Sequence, residues 1–124
     1  MISDNLVKKL ADIGFMASTS GLRKQAFAIF AGIETAKPKS VLPDIGYALE
    51  FMNKKKYQQA IALLQRHALP KDPDNAPVKA FIALALMLDG HNKECEACLY
   101  EIKDSNDSAA IHMANQIMEH IHSN

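Results

Sequence analysis

A chain of 124 residues has room for one domain with a modest core and not for two independent ones. With 48% hydrophobic and 23% charged residues it reads as globular, which excludes a disordered tail or linker. Its 14 basic and 14 acidic side chains cancel, so no net field draws it to nucleic acid or to an anionic membrane, and neither is expected as a partner.

The N-terminal stretch MISDNLVKKLADIGF has an early acidic residue and no basic segment followed by an apolar run, unlike a secretory signal. The longest apolar run, Phe81 to Leu88, falls well short of the ~20 residues a membrane span needs. A soluble cytoplasmic protein is expected. In the first helix Leu6, Leu10, Ile13, Gly14 and Ala17 form an apolar stripe, with Ser3 or Asp4 as N-cap and Ser20-Gly21 as the stop. A second helix carries Leu22, Ala26, Ile29, Phe30 and Ile33 and ends before Pro38. Two further helices, Leu42 to Asn53 and Tyr57 to Leu69, are joined by the basic turn Lys54-Lys55-Lys56 as a helical hairpin. Pro70 to Pro77 is the clearest loop. A fifth helix, Val78 to Leu88, is apolar almost all round and is therefore expected to be buried on more than one side. The sixth takes Lys93 to Lys103, with Cys95, Cys98, Leu99 and Ile102 inward, and the last carries Ile111, Ala114, Met118 and Ile121 after the Ser105–Ser108 break. No stretch calls for a strand.

The hairpins repeat. Ala26, Ala60 and Cys95 stand 34 and 35 residues apart, and Phe30, Leu64 and Leu99 keep the same offsets. The pattern is similar to the tetratricopeptide signature: apolar, apolar-Gly, aromatic, then Ala-x3-Phe and a closing Pro. In the first unit Leu10, Ile13-Gly14, Ala17, Ala26, Phe30 and Pro38 fall into it; the second fits with Tyr47-Ala48, Phe51, Tyr57, Ala60, Leu64 and Pro73 after one extra residue; the third fits with Ile82-Ala83, Leu86, Cys95 and Leu99. The large aromatic of the first marked position is missing, with Leu10, Asp44 and Lys79 in its place. The expected fold is all-α, one domain over 1–124: a right-handed tetratricopeptide-like helical hairpin array with repeats at about 4–38, 41–73 and 76–104 and a capping helix at about 108–122.

In such an array the first helices of the hairpins line the concave side. Setting aside their packing positions leaves Phe15, then Leu42, Ile45, Leu49 and Met52, then Leu84, Met87 and Leu88. That surface offers almost none of the Lys, Arg and Asn a carboxylate clamp needs. An apolar groove with two methionines suits an amphipathic helix. The alternative is that a different helix rotation makes these residues core. The third helix argues for the groove, because its two stripes, Leu42-Ile45-Leu49-Met52 and Tyr47-Ala48-Phe51, exceed what one hairpin partner buries. A bound partner or the C-terminal helix is then needed to cover the patch.

Catalytic and metal chemistry find little support. Cys95-x-x-Cys98 lies near a helix start, as a redox pair does, but no βαβ context surrounds it and no second ligand pair completes a zinc site with it and His91. His112, His120 and His122 read as a solvated tail. Lys54-Lys55-Lys56 is too short for a nucleic-acid patch. No enzyme, metal or cofactor is expected.

The hairpin YQQAIALLQRHAL, the Pro/Asp loop and the segment APVKAFIALALMLDGHNKECEACLYEI together resemble the small tetratricopeptide-like proteins of bacterial type III secretion. In length and layout the nearest are the cytoplasmic co-chaperones of the needle subunit. The layout covers Leu6 to Ile121, the sharper matches Tyr47 to Ile102. The resemblance implies a chaperone whose concave surface shields the C-terminal amphipathic helix of the needle subunit, with a small helical co-chaperone at the N-terminal repeat. Carried over by position, Leu42, Ile45, Leu49, Met52, Leu84, Met87 and Leu88, with Phe15, would hold the needle helix, and Leu6 and Phe15 the small partner. The missing aromatics leave open a translocator chaperone or a general tetratricopeptide adaptor, self-associating as a homodimer when alone.

Overall fold

The computed structural model of the chain describes residues 3–123. Its helices are α1 (Asp4–Thr19), α2 (Arg23–Ala36), α3 (Leu42–Asn53), α4 (Tyr57–Leu63), α5 (Ala76–Leu88), α6 (Asn92–Tyr100) and α7 (Ser108–His122), with a π-helical turn, Leu64–Ala68, continuing α4. There is no strand among the described residues. The starts follow local chemistry. Ser3 Oγ accepts the Leu6 N–H at 3.1 Å, Asn75 Oδ1 that of Val78 at 2.9 Å, and Asp107 Oδ1 that of Ala110 at 2.8 Å, so each of these side chains satisfies an orphan donor. With Asn75 as cap and proline tolerated in a first turn, α5 begins at Ala76, two residues before the expected Val78.

Three hairpins close with one and the same turn. The N–H groups of Leu22, Lys56 and His91 reach back to the carbonyls of Ala17, Phe51 and Leu86, each at 2.8 Å. The preceding residue is left-handed each time, with φ of 82° at Gly21, 60° at Lys55 and 82° at Gly90. This helix-stop motif tilts the second helix back along the first and explains why glycine recurs there. In the second hairpin lysine bears the cost.

The same unit carries one residue too many, and α4 absorbs it. The Leu69 N–H bonds to Leu64 O at 2.9 Å, five residues back, where an α-helix would bond four back. The expected continuous helix Tyr57 to Leu69 is therefore an α-helix to Leu63 and a π turn from Leu64. Within it His67 Nδ1 lies 2.7 Å from Asp44 Oδ1, and beyond it Lys71 Nζ donates to Asp44 Oδ2 at 2.9 Å. Asp44, 1% exposed, stands where the signature places an aromatic, and a polar clasp from α3 to the end of the second hairpin replaces that ring. α6 ends at Tyr100 rather than Lys103, and its last carbonyls are taken up in turns.

The helices stack in two rows. α1, α3, α5 and α7 lie side by side, while α2, α4 and α6 form the second row and each touches the next first helix. At the N-terminal end Phe30 is the hinge of the packing. Fully buried, it lies against α1 and α3 at two glycines: a Cβ on Gly14 would stand 2.9 Å from its ring, and one on Gly46 would stand 2.4 Å away. Phe15 and Tyr47 hem the ring at centroid distances of 5.2 and 6.0 Å. Because Gly14 must face Phe30, α1 turns by about one residue from the expected stripe. Val7, Ala11, Gly14, Ala17 and Ser18 are buried, while Leu6 and Ile13 are 46% and 53% exposed.

Gly46→Ala pushes a methyl into a ring that cannot retreat and is expected to cost about 1–3 kcal/mol. Gly32→Ala, where a Cβ meets nothing within 4 Å, gains up to about 1 kcal/mol. Urea denaturation of both separates the packing effect from helix propensity. Lys55→Gly removes the left-handed side chain and is expected to add about 0.5–1 kcal/mol by the same measurement; destabilisation would contradict the shared turn.

Candidate functional site

The first-row helices determine which of the candidate residues face outward. α3 is enclosed by α1, α2, α4 and α5, so it has more than the single partner assumed from the sequence. Both of its stripes are consequently drawn in. Ile45 and Met52 are 3% and 6% exposed and belong to the core, which corrects their placement in a groove. Leu42 and Leu49 on α3, Leu84 and Met87 on α5, and Phe15 on α1 are half-buried, and Leu88 is 45% exposed. Leu49, Leu84 and Met87 pack against the main core on one side and leave an apolar edge on the other. Phe15 packs against both core clusters and against the Phe30 ring, so it supports the wall more than it opens onto it.

α7 does not close this row. It packs on α5 and α6, burying Ala110, Ala114 and Ile117, and touches neither α1 nor α3. On α7 Met113, Met118 and Ile121 are half-buried and pack against the main core. The chain's own C-terminal helix therefore leaves the α3 portion of the candidate surface open.

Leu6 lies elsewhere. Nine residues from Phe15, it occupies the opposite side of α1, since each residue turns the helix by about 100°. The two cannot share one docking surface. Leu6 instead joins Ile13 and Met16, the latter 69% exposed, on the edge of the N-terminal hairpin, and Leu22 is also open at 49%. The sequence placed Leu6 and Ile13 in the buried stripe and passed over Met16.

Two carboxylates in α3 were not read as structural. Besides Asp44, Glu50 is 3% exposed; Ser18 Oγ donates to its Oε1, and Arg23 Nε lies 3.4 Å from Oε2. An acid at two positions inside an otherwise apolar helix was the available signal, since buried acids need partners.

The cysteines sit in a different setting. Cys95 is fully buried, and Cys98 Sγ donates to Lys79 O at 3.1 Å. Burial, then Glu96, pushes the Cys95 thiol up to about 11. Cys98 also rises to about 11, through burial first and then Glu101 and Cys95. Both are held as thiols at neutral pH, opposite to an activated redox pair. Among the described residues no group of three or more His, Cys, Asp and Glu is arranged to hold a metal, and no helix is long and apolar enough to cross a membrane. At pH 8 the native chain is expected to stay unlabelled by iodoacetamide over the time in which the urea-unfolded chain is fully alkylated; rapid native labelling would contradict the raised thiols.

Against known proteins, no curated protein matches the chain. Thirteen chains of solved structures do. One of them, from the CopN–Scc3 complex, superposes with a TM-score of 0.62 at 12% identity, over 95% of this chain and 70% of that one, a likeness of fold. The profile of the tetratricopeptide repeat matches residues 51–116, from the end of α3 into α7, a span that holds the hairpin turns at Lys55 and Gly90. The chain belongs to the tetratricopeptide repeat family.

Proposed function

We propose that this protein is a non-catalytic chaperone of the bacterial cytoplasm that holds an amphipathic helix of a partner protein along the apolar edge formed by Leu42, Leu49, Leu84, Met87 and Leu88. The observation that carries this reading is that α7 packs on α5 and α6 and reaches neither α1 nor α3, so the α3 part of this edge stays open, with Leu88 45% exposed at its α5 end. A half-open apolar strip is energetically unfavourable in water and is relieved by a helix presenting residues at i, i+3, i+4 and i+7. That a chain of the same fold occurs in a two-protein complex, CopN–Scc3, supports a protein partner.

The resemblance of the hairpin sequences to type III secretion co-chaperones narrows the partner to the needle subunit, whose C-terminal helix would otherwise polymerise. In this reading a small helical co-chaperone binds the separate edge at Leu6, Ile13 and Met16, and Phe15 belongs to the groove side alone. A second reading, a general adaptor that pairs with its own copy through that edge when alone, is favoured by the same exposed residues.

Tagged protein purified from its host is expected to bring down small helical secretion components. Leu49→Asp and Leu84→Asp should lose them with at least about a tenfold fall in affinity, since truncation of central apolar contacts costs ~2 kcal/mol or more. Circular dichroism checks that helicity is kept. Leu88→Asp, at a position open enough that the fold does not depend on it, keeps the test decisive if the other two unfold. A fully retained complex in Leu88→Asp and in every folded variant would refute the groove.

A further inference from the structure

Where α1 begins, α2 ends and α3 begins, the chain leaves a cleft of about 650 Å³. Val7, Pro38 and Leu42 are among its apolar lining residues, and three lysines, Lys8, Lys37 and Lys39, line it as well. We propose that this cleft recognises the acidic side chains, Asp or Glu, of the amphipathic helix the chain holds. The inference rests on the groove reading above and names the chemistry at one end of the bound helix.

Charge is the first support. The chain as a whole is balanced, 14 against 14, yet this corner gathers three lysines against one acid, Asp4. Asp4 Oδ1 lies 3.4 Å from Lys37 Nζ, but its side chain is 91% exposed, so the pair is weak. Lys8 and Lys39 make no ion pair among the described residues. Two cations thus stand beside an apolar recess with no ion-pair partner among the described residues.

Rigidity is the second. The loop that carries Lys37 and Lys39 is tied at both ends: the Lys37 N–H bonds to Ile33 O at 2.7 Å and the Ser40 N–H to Lys37 O at 3.0 Å. Ser40 Oγ accepts the Leu42 N–H at 3.2 Å, and Lys71 Nζ donates to Ser40 O at 3.3 Å. A loop fixed in this way needs no backbone ordering on binding, which leaves only the lysine side chains to be ordered.

Continuity is the third. Leu42 belongs both to the cleft and to the apolar edge, so a helix lying on Leu49 and Leu84 reaches the cleft with one end. On that end an acidic residue three or four positions from an apolar one sits ~5–6 Å from it, which matches lysines standing beside an apolar floor. Nucleic acid or an anionic bilayer would call for cations spread along an open face rather than drawn round a recess.

The test uses the full-length protein and two fluorescein-labelled model helices, acetylated and amidated, with leucines at i, i+3, i+4 and i+7 and either two glutamates or two glutamines in the last turn. The glutamate peptide is expected to bind roughly tenfold tighter at low salt, consistent with two charge-assisted contacts. The preference should shrink by 300 mM salt and vanish in the Lys8→Gln/Lys39→Gln double variant. Equal binding of the two peptides, or a preference that survives the double variant, overturns the cleft assignment alone. If neither peptide binds, the groove reading fails and takes this inference with it. A glutamine peptide with a free C-terminus that matches the glutamate peptide would shift recognition to a chain-end carboxylate and likewise overturn it.

Discussion

The structure depends on the space that two glycines leave for one phenylalanine. Phe30 comes from the second helix of the first hairpin and fits against Gly14 on α1 and Gly46 on α3, where any side chain would meet its ring. That contact ties the first hairpin to the rest of the array, because Tyr47 of α3 packs on the Phe30 ring and Phe15 packs against both the N-terminal core cluster and the main one. It fixes the rotation of α1, and through it which residues of that helix are left for a partner. It also sets α1 close beside α3, the start of the row on which the proposed groove lies.

The remaining repeats are held by the same kinds of contact with different residues. Small residues recur at the helix crossings, with Ala26, Ala60 and Cys95 all fully buried, and the side chains four positions on, Phe30, Leu64 and Leu99, fill the space beneath the next helix. The middle repeat departs most. It lacks the glycine turn, gains a residue, and buries an acid where an aromatic is usual. The π turn and the Asp44–His67–Lys71 clasp resolve the second and third departures together, since the extra residue lies in the segment that presents His67. A buried carboxylate with both oxygens engaged adds little net stability but penalises other registers strongly, because any slip strands the charge.

Much of this was legible in the residues. A first helix capped at Ser3 or Asp4, a last one starting from the Ser105–Ser108 break, the stops at Gly21 and Gly90, the bounds of α3 and the 34- and 35-residue offsets follow from caps, turn glycines and periodicity, all of which are local. What escaped depends on neighbours. Periodicity says that a helix has an apolar stripe and not how many other helices flank it, so Ile45 and Met52 read as surface although four helices enclose α3. Leu6, Leu10 and Ile13 made a better apolar stripe than Val7, Ala11 and Gly14, but the smaller set wins because Phe30 requires a flat surface. The fit of Glu50 against Ser18 and Arg23 was out of reach for the same reason: its partners lie on other helices.

Methionine methyl resonances offer the most direct measurement of where a partner helix lies. Met87 marks the proposed groove, Met52 the core beneath α3, and Met16 the N-terminal edge on the far side of α1. On titration with an amphipathic helix of the partner, the groove reading requires the Met87 methyl to shift in step with binding while Met16 stays put. A shift of Met16 with Met87 unmoved would place the partner on the N-terminal edge and contradict the groove.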